Sequence, residues 1–353
     1  LKAVIITDQH FGARNDNPAF LDYYEKFYSQ TFFPFIDQHQ IKCVLILGDT
    51  FDRRKFINFN SLKRTKEMFF EPLLERKIRV FMLAGNHDTY YKNTNDVNSP
   101  SLVLREYPNI QIIDEPQDVQ VYGLDICMMP WICTENVNQS LKLLQDTKAQ
   151  ICMGHFEIQG FAMYKGLESH EGMKQELFQK FDMVFSGHYH HKSDNGHIFY
   201  LGNPYELTWQ DYNDTRGFHL FDLKTRELEF IENPFKMFYK IIYDDLNKTF
   251  EDVLETDFSY LKDSFVKVIV KNKTNPYWFD LYIEKLEKVG LTDVQVVEDH
   301  LNLNLEGDDD IVNEAEDTMT ILKKYIDSIE IDTDKQRLDK LIRSLYDEAL
   351  SVE

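Results

Sequence analysis

Five short apolar runs punctuate the first half of the chain, at residues 3–7, 44–48, 80–85, 151–154 and 183–187, each closed by Gly or Thr. Continuous apolar runs of this length, ending in turn residues, predict strands buried on both faces. Residues 18–38, 58–76 and 135–147 carry apolar positions at helical spacing between them. The region to about residue 235 therefore alternates strand with helix and reads as α/β. Beyond residue 190 the pattern shifts to hairpin-like runs, HIFYLGNPYELT, GFHLFDL and ELEFIENPF, which predict two facing sheets flanked by helices.

A smaller α+β unit is expected over residues 236–305: strand MFYKIIYD, strand SFVKVIVK, a helix over 276–289 with Tyr277, Leu281, Ile283 and Leu286 apolar, and strand DVQVVE. Lys267, Lys271 and Lys273 cluster there, either as a solvated strand face or as a phosphate contact. Residues 306–317 hold seven acids and no base and read as a linker. Residues 318–353 then show two apolar stripes, Met319, Leu322, Tyr325, Ile326 and Ile329, followed by Leu338, Leu341, Ile342, Leu345 and Leu350. Two short helices bury little by themselves, so they are expected to dock on a partner or back on this chain.

At 353 residues the chain exceeds a usual single core, and a hydrophobic fraction of 43% with 27 Phe and 19 Tyr excludes a disordered protein. Cys43, Cys127, Cys133 and Cys152 show no CxxC spacing and read as buried free thiols of a reducing compartment. No run approaches a membrane span and no leader-like segment opens the sequence, so a soluble, cytoplasmic protein is expected. The balance of 60 acidic and 39 basic residues gives a net charge of −21. That argues against nonspecific binding along a phosphate backbone, and any nucleic acid has to be held locally.

Each apolar run ends within a residue or two on a side chain that holds metals: Asp8 and His10, then Asp49, then Asn86 with His87 beside it, then His155, then His188 and His190. Open α/β sheets place ligands at the carboxyl ends of their strands, so these residues are expected to converge. With no thiolate among them, the set offers oxygen and imidazole ligands suited to Mn, Fe or Zn. Seven ligands exceed the needs of one ion. Two ions roughly 3.5–4 Å apart need a bridging carboxylate, and Asp49 is the choice. Taken singly, Asp49 and Asp52 read equally as turn or cap residues, Asn86 and Asp88 as a strand-to-helix turn, and His188 and His190 as a solvated pair. Jointly they favour a metal site, because unpaired buried carboxylates and imidazoles are costly. His39, His170, His191 and His197 read as ordinary surface or loop histidines.

The blocks TDQH, GDTFD, GNHD, MGHFE and SGHYH, in that order between residues 7 and 190, resemble the five signature blocks of the calcineurin-like metallophosphoesterases. The resemblance implies a two-sheet metallophosphoesterase sandwich holding two divalent metals per chain. One would take Asp8, His10, Asp49 and His190, the other Asp49, Asn86, His155 and His188. It also implies that His87 stays off the metals and faces the substrate, steadying the transition state or protonating the leaving oxygen. Asp52 stands where some relatives carry His, with a role in orienting His87 or a ligand. Further along, YLGNPYE and RGFHLFDL resemble blocks of the SbcD and Mre-type repair nucleases, with Asn203 for the usual Ser and Arg216 for the usual Lys. The unit over residues 236–305 resembles the capping domain that flanks the nuclease cleft in these proteins, and its compactness and the short loops are similar to the T-even phage branch of that family.

That resemblance implies a Mn(II)-dependent DNA exo- and endonuclease acting by a two-metal mechanism in double-strand break processing, recombination and repair. Its implied partners are DNA, a second copy of itself, and a Rad-type, SbcC-like ATPase bound through residues 318–353. Residues 18–38 and 98–107 carry aromatic and aliphatic side chains enough for the expected dimer surface, or belong simply to the core, and the location is the host cytoplasm if the protein is phage-encoded. Two other readings stay open: a small-molecule phosphodiesterase or phosphomonoesterase on the same scaffold, and a DNA-end scaffold with mainly structural metals. The docking helices speak against the first, and His87 with all seven ligand positions speaks against the second.

Overall fold

The computed structural model describes residues 1–164, 167–169 and 172–298. Leu1–Val296 forms one compact unit. His170, the acidic linker and the two apolar stripes of residues 318–353 lie outside the described residues. Among the described residues, no helix is long and apolar enough to cross a membrane.

The first four strands, β1 (Lys2–Ile6), β2 (Cys43–Ile46), β3 (Arg79–Leu83) and β4 (Ile110–Ile113), run parallel in one sheet. The chain then builds a second sheet from β5 (Gln117–Val121), β6 (Leu124–Met129) and β7 (Ile151–Gly154), makes the small pair β8 (Ala162–Tyr164) and β9 (Leu167–Glu168), and resumes with β10 (Met183–Ser186), β11 (Ser193–Asp194) and β12 (Ile198–Tyr200). Its order is β11-β12-β10-β7-β6-β5. A hairpin of β13 (Gly217–Asp222) and β14 (Leu228–Glu232) returns to the first sheet beside β1, giving β14-β13-β1-β2-β3-β4.

The strands are apolar along their length because both faces are covered. Ala3, Ile5, Leu45 and Leu83 point between the sheets and meet Val119, Ile126, Met128, Ile151, Met153 and Phe185. Their neighbours Val4, Ile6, Val44, Ile46 and Val80 pack on the other face against Phe20, Tyr24, Phe27, Tyr28, Phe32, Phe69 and Phe70. A third core on the far face of the second sheet joins Cys127, Cys152, Val184 and Tyr200 to Leu144 and Phe178. All four cysteines are buried and free, as expected.

The expected helices over residues 18–38 and 58–76 each contain a widened turn, at Tyr28–Phe32 and Lys66–Phe70. The N–H of Phe33 reaches the carbonyl of Tyr28, and that of Glu71 the carbonyl of Lys66, one residue further than in an α-helix. Pro34 and Pro72 follow directly. A proline has no N–H and its ring crowds the carbonyl four residues back, so a widened turn before it lets the helix continue. Residues 18–38 were expected to supply a dimer surface. Their apolar side chains, from Phe20 to Ile36, are instead spent on this chain's own core.

Two further differences have local causes. Within HIFYLGNPYELT only β12 is a strand: it closes a hairpin with β11 before it and pairs in parallel with β10, and the chain after it leaves the sheet at Gly202, whose φ of 72° suits glycine. The unit after residue 236 has the expected strands β15 (Phe238–Asp244), β16 (Phe265–Asn272) and β17 (Asp293–Glu298), in that spatial order, and the expected helix Pro276–Glu287. It also has an unexpected helix, Phe250–Glu255, started by a capping box in which Thr249 and Asp252 bond each other's backbone. Of the three clustered lysines, Lys267 is not on a solvated face. It is buried, with its ammonium 4.3 Å from the centre of the Trp209 ring.

Glu206 ties this unit to the sandwich. Its carboxylate is buried and accepts the N–H groups of Met237 (2.6 Å) and Phe238 (2.9 Å) at the root of β15. Burial pushes Glu206 up to about 7, even against those two donors. A carboxyl raised above its unfolded value costs stability as pH climbs from the unfolded value towards the folded one. Glu206→Gln should therefore gain on the wild type between about pH 5 and about pH 8. Thermal melts across that range check it, and a difference independent of pH would refute the role given to burial.

Candidate metal centre

The loops after β1, β2, β3, β7 and β10 bring Asp8, His10, Asp49, Asn86, His155, His188 and His190 to one pocket, with His87 and Asp52 at its edge. Four of these positions carry left-handed backbone: Asp8 (φ 51°), His10 (45°), Asp49 (50°) and His188 (84°). For side chains other than glycine, that conformation is uncommon and costs about 1 kcal/mol or more. The surrounding main chain enforces it. The N–H groups of Asp8, His10 and Phe11 bond the carbonyls of Gly48, Asp49 and Thr50, lacing the β1 loop to the β2 loop. Glycine is required at two close approaches: a Cβ on Gly48 would sit 2.5 Å from His155 Nδ1, and one on Gly85 would strike the Asp49 carboxylate.

Two donor groups result. Asp8, His10 and His190 place ligand atoms within 4.8 Å of one another, and so do Asp49, His155 and His188. Asn86 Oδ1 lies 2.9 Å from His155 Nε2 and 3.0 Å from His188 Nδ1, which adds it to the second group. Asp49 Oδ2 is 3.8 Å from His10 Nε2 and 3.2 Å from His155 Nε2, so this carboxylate faces both groups. His87 also comes within reach of His10 and Asp49.

The donor chemistry fits cations. His155 Nδ1 is 2.7 Å from the Leu47 carbonyl and His10 Nδ1 is 3.1 Å from Asp52 Oδ1. Each contact fixes a proton on the outer nitrogen and turns the Nε2 lone pair inward, as in metal-binding histidines. His10 Nε2 then meets His190 Nε2 at 3.1 Å. Two lone pairs at that distance need a proton or a metal between them. Burial pushes Asp8 up to about 6 and His188 down to about 3. At His10 burial works downward too, but the Asp52 hydrogen bond and the charge of Asp49 outweigh it and lift the ring to about 9.

Asp52 acts twice. Its side chain holds His10, and its backbone carbonyl accepts from His87 Nδ1 at 2.6 Å. The His87 N–H in turn donates to Asp49 Oδ1 (2.8 Å).

Three supports were not assigned from the sequence. Asp88, fully buried, accepts N–H groups from Thr50, Phe51 and Gly85, pinning the β2 and β3 loops together. The indole of Trp131 lies 5.3 Å from the His188 ring. Arg216, singled out only as a family marker, donates to the His190 carbonyl and to Asn203 Oδ1, while its other arm pairs with Asp211 (3.0 Å) and Asp214 (2.8 Å). Asp214 also binds His191. A buried cation that reaches back to Asn203 and His190 leaves no periodic signal. A neighbouring Asp-x-x-Asp-x-Arg was the available hint.

Residues 1–192 match the family model of the calcineurin-like phosphoesterases. Over 308 residues, 86% of this chain and 86% of the relative, the sequence is 33% identical to exonuclease subunit 1 of Enterobacteria phage T4. It is 22% identical over 318 residues to the SbcD component of the SbcCD nuclease of Staphylococcus epidermidis, covering 80% of this chain and 79% of that one. The protein of the same name from Staphylococcus saprophyticus is 20% identical over 311 residues, covering 80% and 78%.

Removing Arg216 strands the buried carboxylate of Asp211 and the partly buried one of Asp214 and frees the His190 backbone. Arg216→Met should lose about 3–5 kcal/mol in urea unfolding, the scale of a broken buried ion pair, and bind metal more weakly. Arg216→Lys keeps the charge and should lose less. Equal stability and metal content in all three proteins would show that Arg216 is not a support of the site.

Proposed function

The chain belongs to the calcineurin-like phosphoesterase family, and we propose that it is a manganese-dependent DNA nuclease of recombination and repair, working with a Rad-type ATPase. The observation that carries this reading is the pocket where seven side chains able to hold metal converge, in a chain related over 86% of its length to a phage exonuclease subunit. All three relatives are named as subunits, which supports a partner chain. Asp8, His10, Asp49 and His190 would hold one divalent ion and Asp49, Asn86, His155 and His188 the other, Asp49 belonging to both sets. Oxygen and imidazole donors without thiolate suit Mn(II).

Bound, such a pair of ions polarises a phosphoryl oxygen and makes a nucleophile from water near neutral pH. The protein's own part falls to His87 and Asp52. The Asp52 carbonyl fixes the His87 proton on Nδ1, leaving Nε2 for the substrate. Burial holds His87 below the usual imidazole value. The charge of a bound phosphodiester counteracts that burial and favours a proton on Nε2, from which the leaving oxygen takes it. We further propose a homodimer in which exposed apolar side chains such as Phe59 and Leu102, 89% and 67% accessible, take part, because exposed apolar side chains of this size favour an interface. Residues 318–353 are proposed to bind the ATPase.

Degradation of double-stranded and single-stranded DNA with Mn(II), with and without the ATPase, tests the reading directly. DNA cleavage that the ATPase stimulates is expected. Hydrolysis of small phosphodiesters with no DNA cleavage under any divalent ion would transfer the protein to small-molecule chemistry. His87→Asn should keep both metals yet lose roughly 100-fold in rate, the scale of a lost acid-base group. Metal loss in that variant would mean that His87 is a ligand.

A further inference from the structure

The loop that leaves Asp52 carries three consecutive cations, Arg53, Arg54 and Lys55, in a chain of net charge −21. They are not equivalent. Lys55 is exposed. Arg53 is engaged by its neighbours: it pairs with Asp16 (3.2 Å), donates to Asn15 and lies over the Phe56 ring at 4.7 Å. Arg54 is half-buried, and its buried Nη1 has no hydrogen-bond partner among the described residues. A guanidinium presents five donors, and leaving one desolvated and unpaired is costly unless a ligand completes it.

The main chain fixes where this group emerges. Two residues earlier, the Asp52 N–H bonds the Phe11 carbonyl and the Asp52 carbonyl holds His87. Phe51, three residues before Arg54, is pinned to Asp88. Burial lowers Arg54 and the charge of Asp49 raises it again, so the guanidinium feels the carboxylate at the middle of the pocket without pairing to it. A cation that feels the carboxylate of Asp49, yet is left out of every ion pair among the described residues, suits a ligand that brings its own negative charge. Planar guanidinium matches the paired oxygens of a phosphate.

We propose that Arg54 grips the non-bridging oxygens of the phosphate being cleaved, as a substrate-binding residue beside His87. The proposal rests on the nuclease reading for the identity of the phosphate, though not for its presence. Arg53, held by Asp16 and Asn15, braces the loop that presents it.

Inorganic phosphate, titrated calorimetrically into the Mn(II)-loaded full-length protein, tests this without any turnover. Arg54→Gln should keep the wild-type metal content and melting temperature while weakening phosphate binding by about 10- to 100-fold, the scale of a lost charge-assisted pair. Arg54→Lys, which keeps the charge but not the fork, should fall between. On DNA, the same variants should lose activity mainly through a raised KM. Unchanged phosphate affinity in Arg54→Gln would overturn the proposal, as would a loss shared equally by Arg53→Gln with its metal content intact. Should the wild type bind phosphate through Arg54 but leave DNA uncut, the nuclease reading fails and the assignment of Arg54 stands.

Discussion

The pocket at the strand ends buries carboxylates, imidazoles and an amide oxygen within contact of one another. His10 and His190 point ring nitrogens at each other across 3.1 Å, and Asn86 Oδ1 faces two imidazoles within 3.0 Å. Carboxylates and imidazoles buried together in this way are unfavourable until cations sit among them, so metal binding and the local fold are one equilibrium. Much of the surrounding structure holds that unfavourable cluster in place: left-handed backbone at four ligand positions, the Asp88 carboxylate across two loops, and Arg216 under His190.

The two-sheet sandwich explains why ligands so far apart in sequence meet. Parallel strands β1, β2 and β3 in one sheet and β7 and β10 in the other end at the same side, and the cores on both faces leave those strands no freedom to slip. A one-residue slip would exchange every strand side chain between the core under the helices and the core between the sheets, where its size does not fit. Register is thus set by hydrophobic burial, and ligand geometry follows from register.

Strands with both faces covered were legible as continuous apolar runs, and the site residues were legible because each run ended on one. The supports were harder to see. Asp88 looked like a turn residue because its work is done on backbone N–H groups of a distant loop. The partners of Arg216 are set by a fold that no periodicity encodes. Residues 18–38 show why an apolar helix does not announce its partner: the same stripe suits a dimer face or a core, and here the aromatic cluster around Tyr24, Phe27 and Tyr205 takes it. Pro34 and Pro72 were visible in the sequence. That helices would pass through them by widening a turn depended on the core holding both ends.

We propose that the pocket takes two cations that share Asp49. Anomalous diffraction at the manganese edge, from crystals grown with Mn(II), measures this most directly. The account predicts two peaks per chain about 3.5–4 Å apart, with the Asp49 carboxylate between them and His87 bound to neither. A single peak, or a pair in which Asp49 touches only one ion, would contradict it.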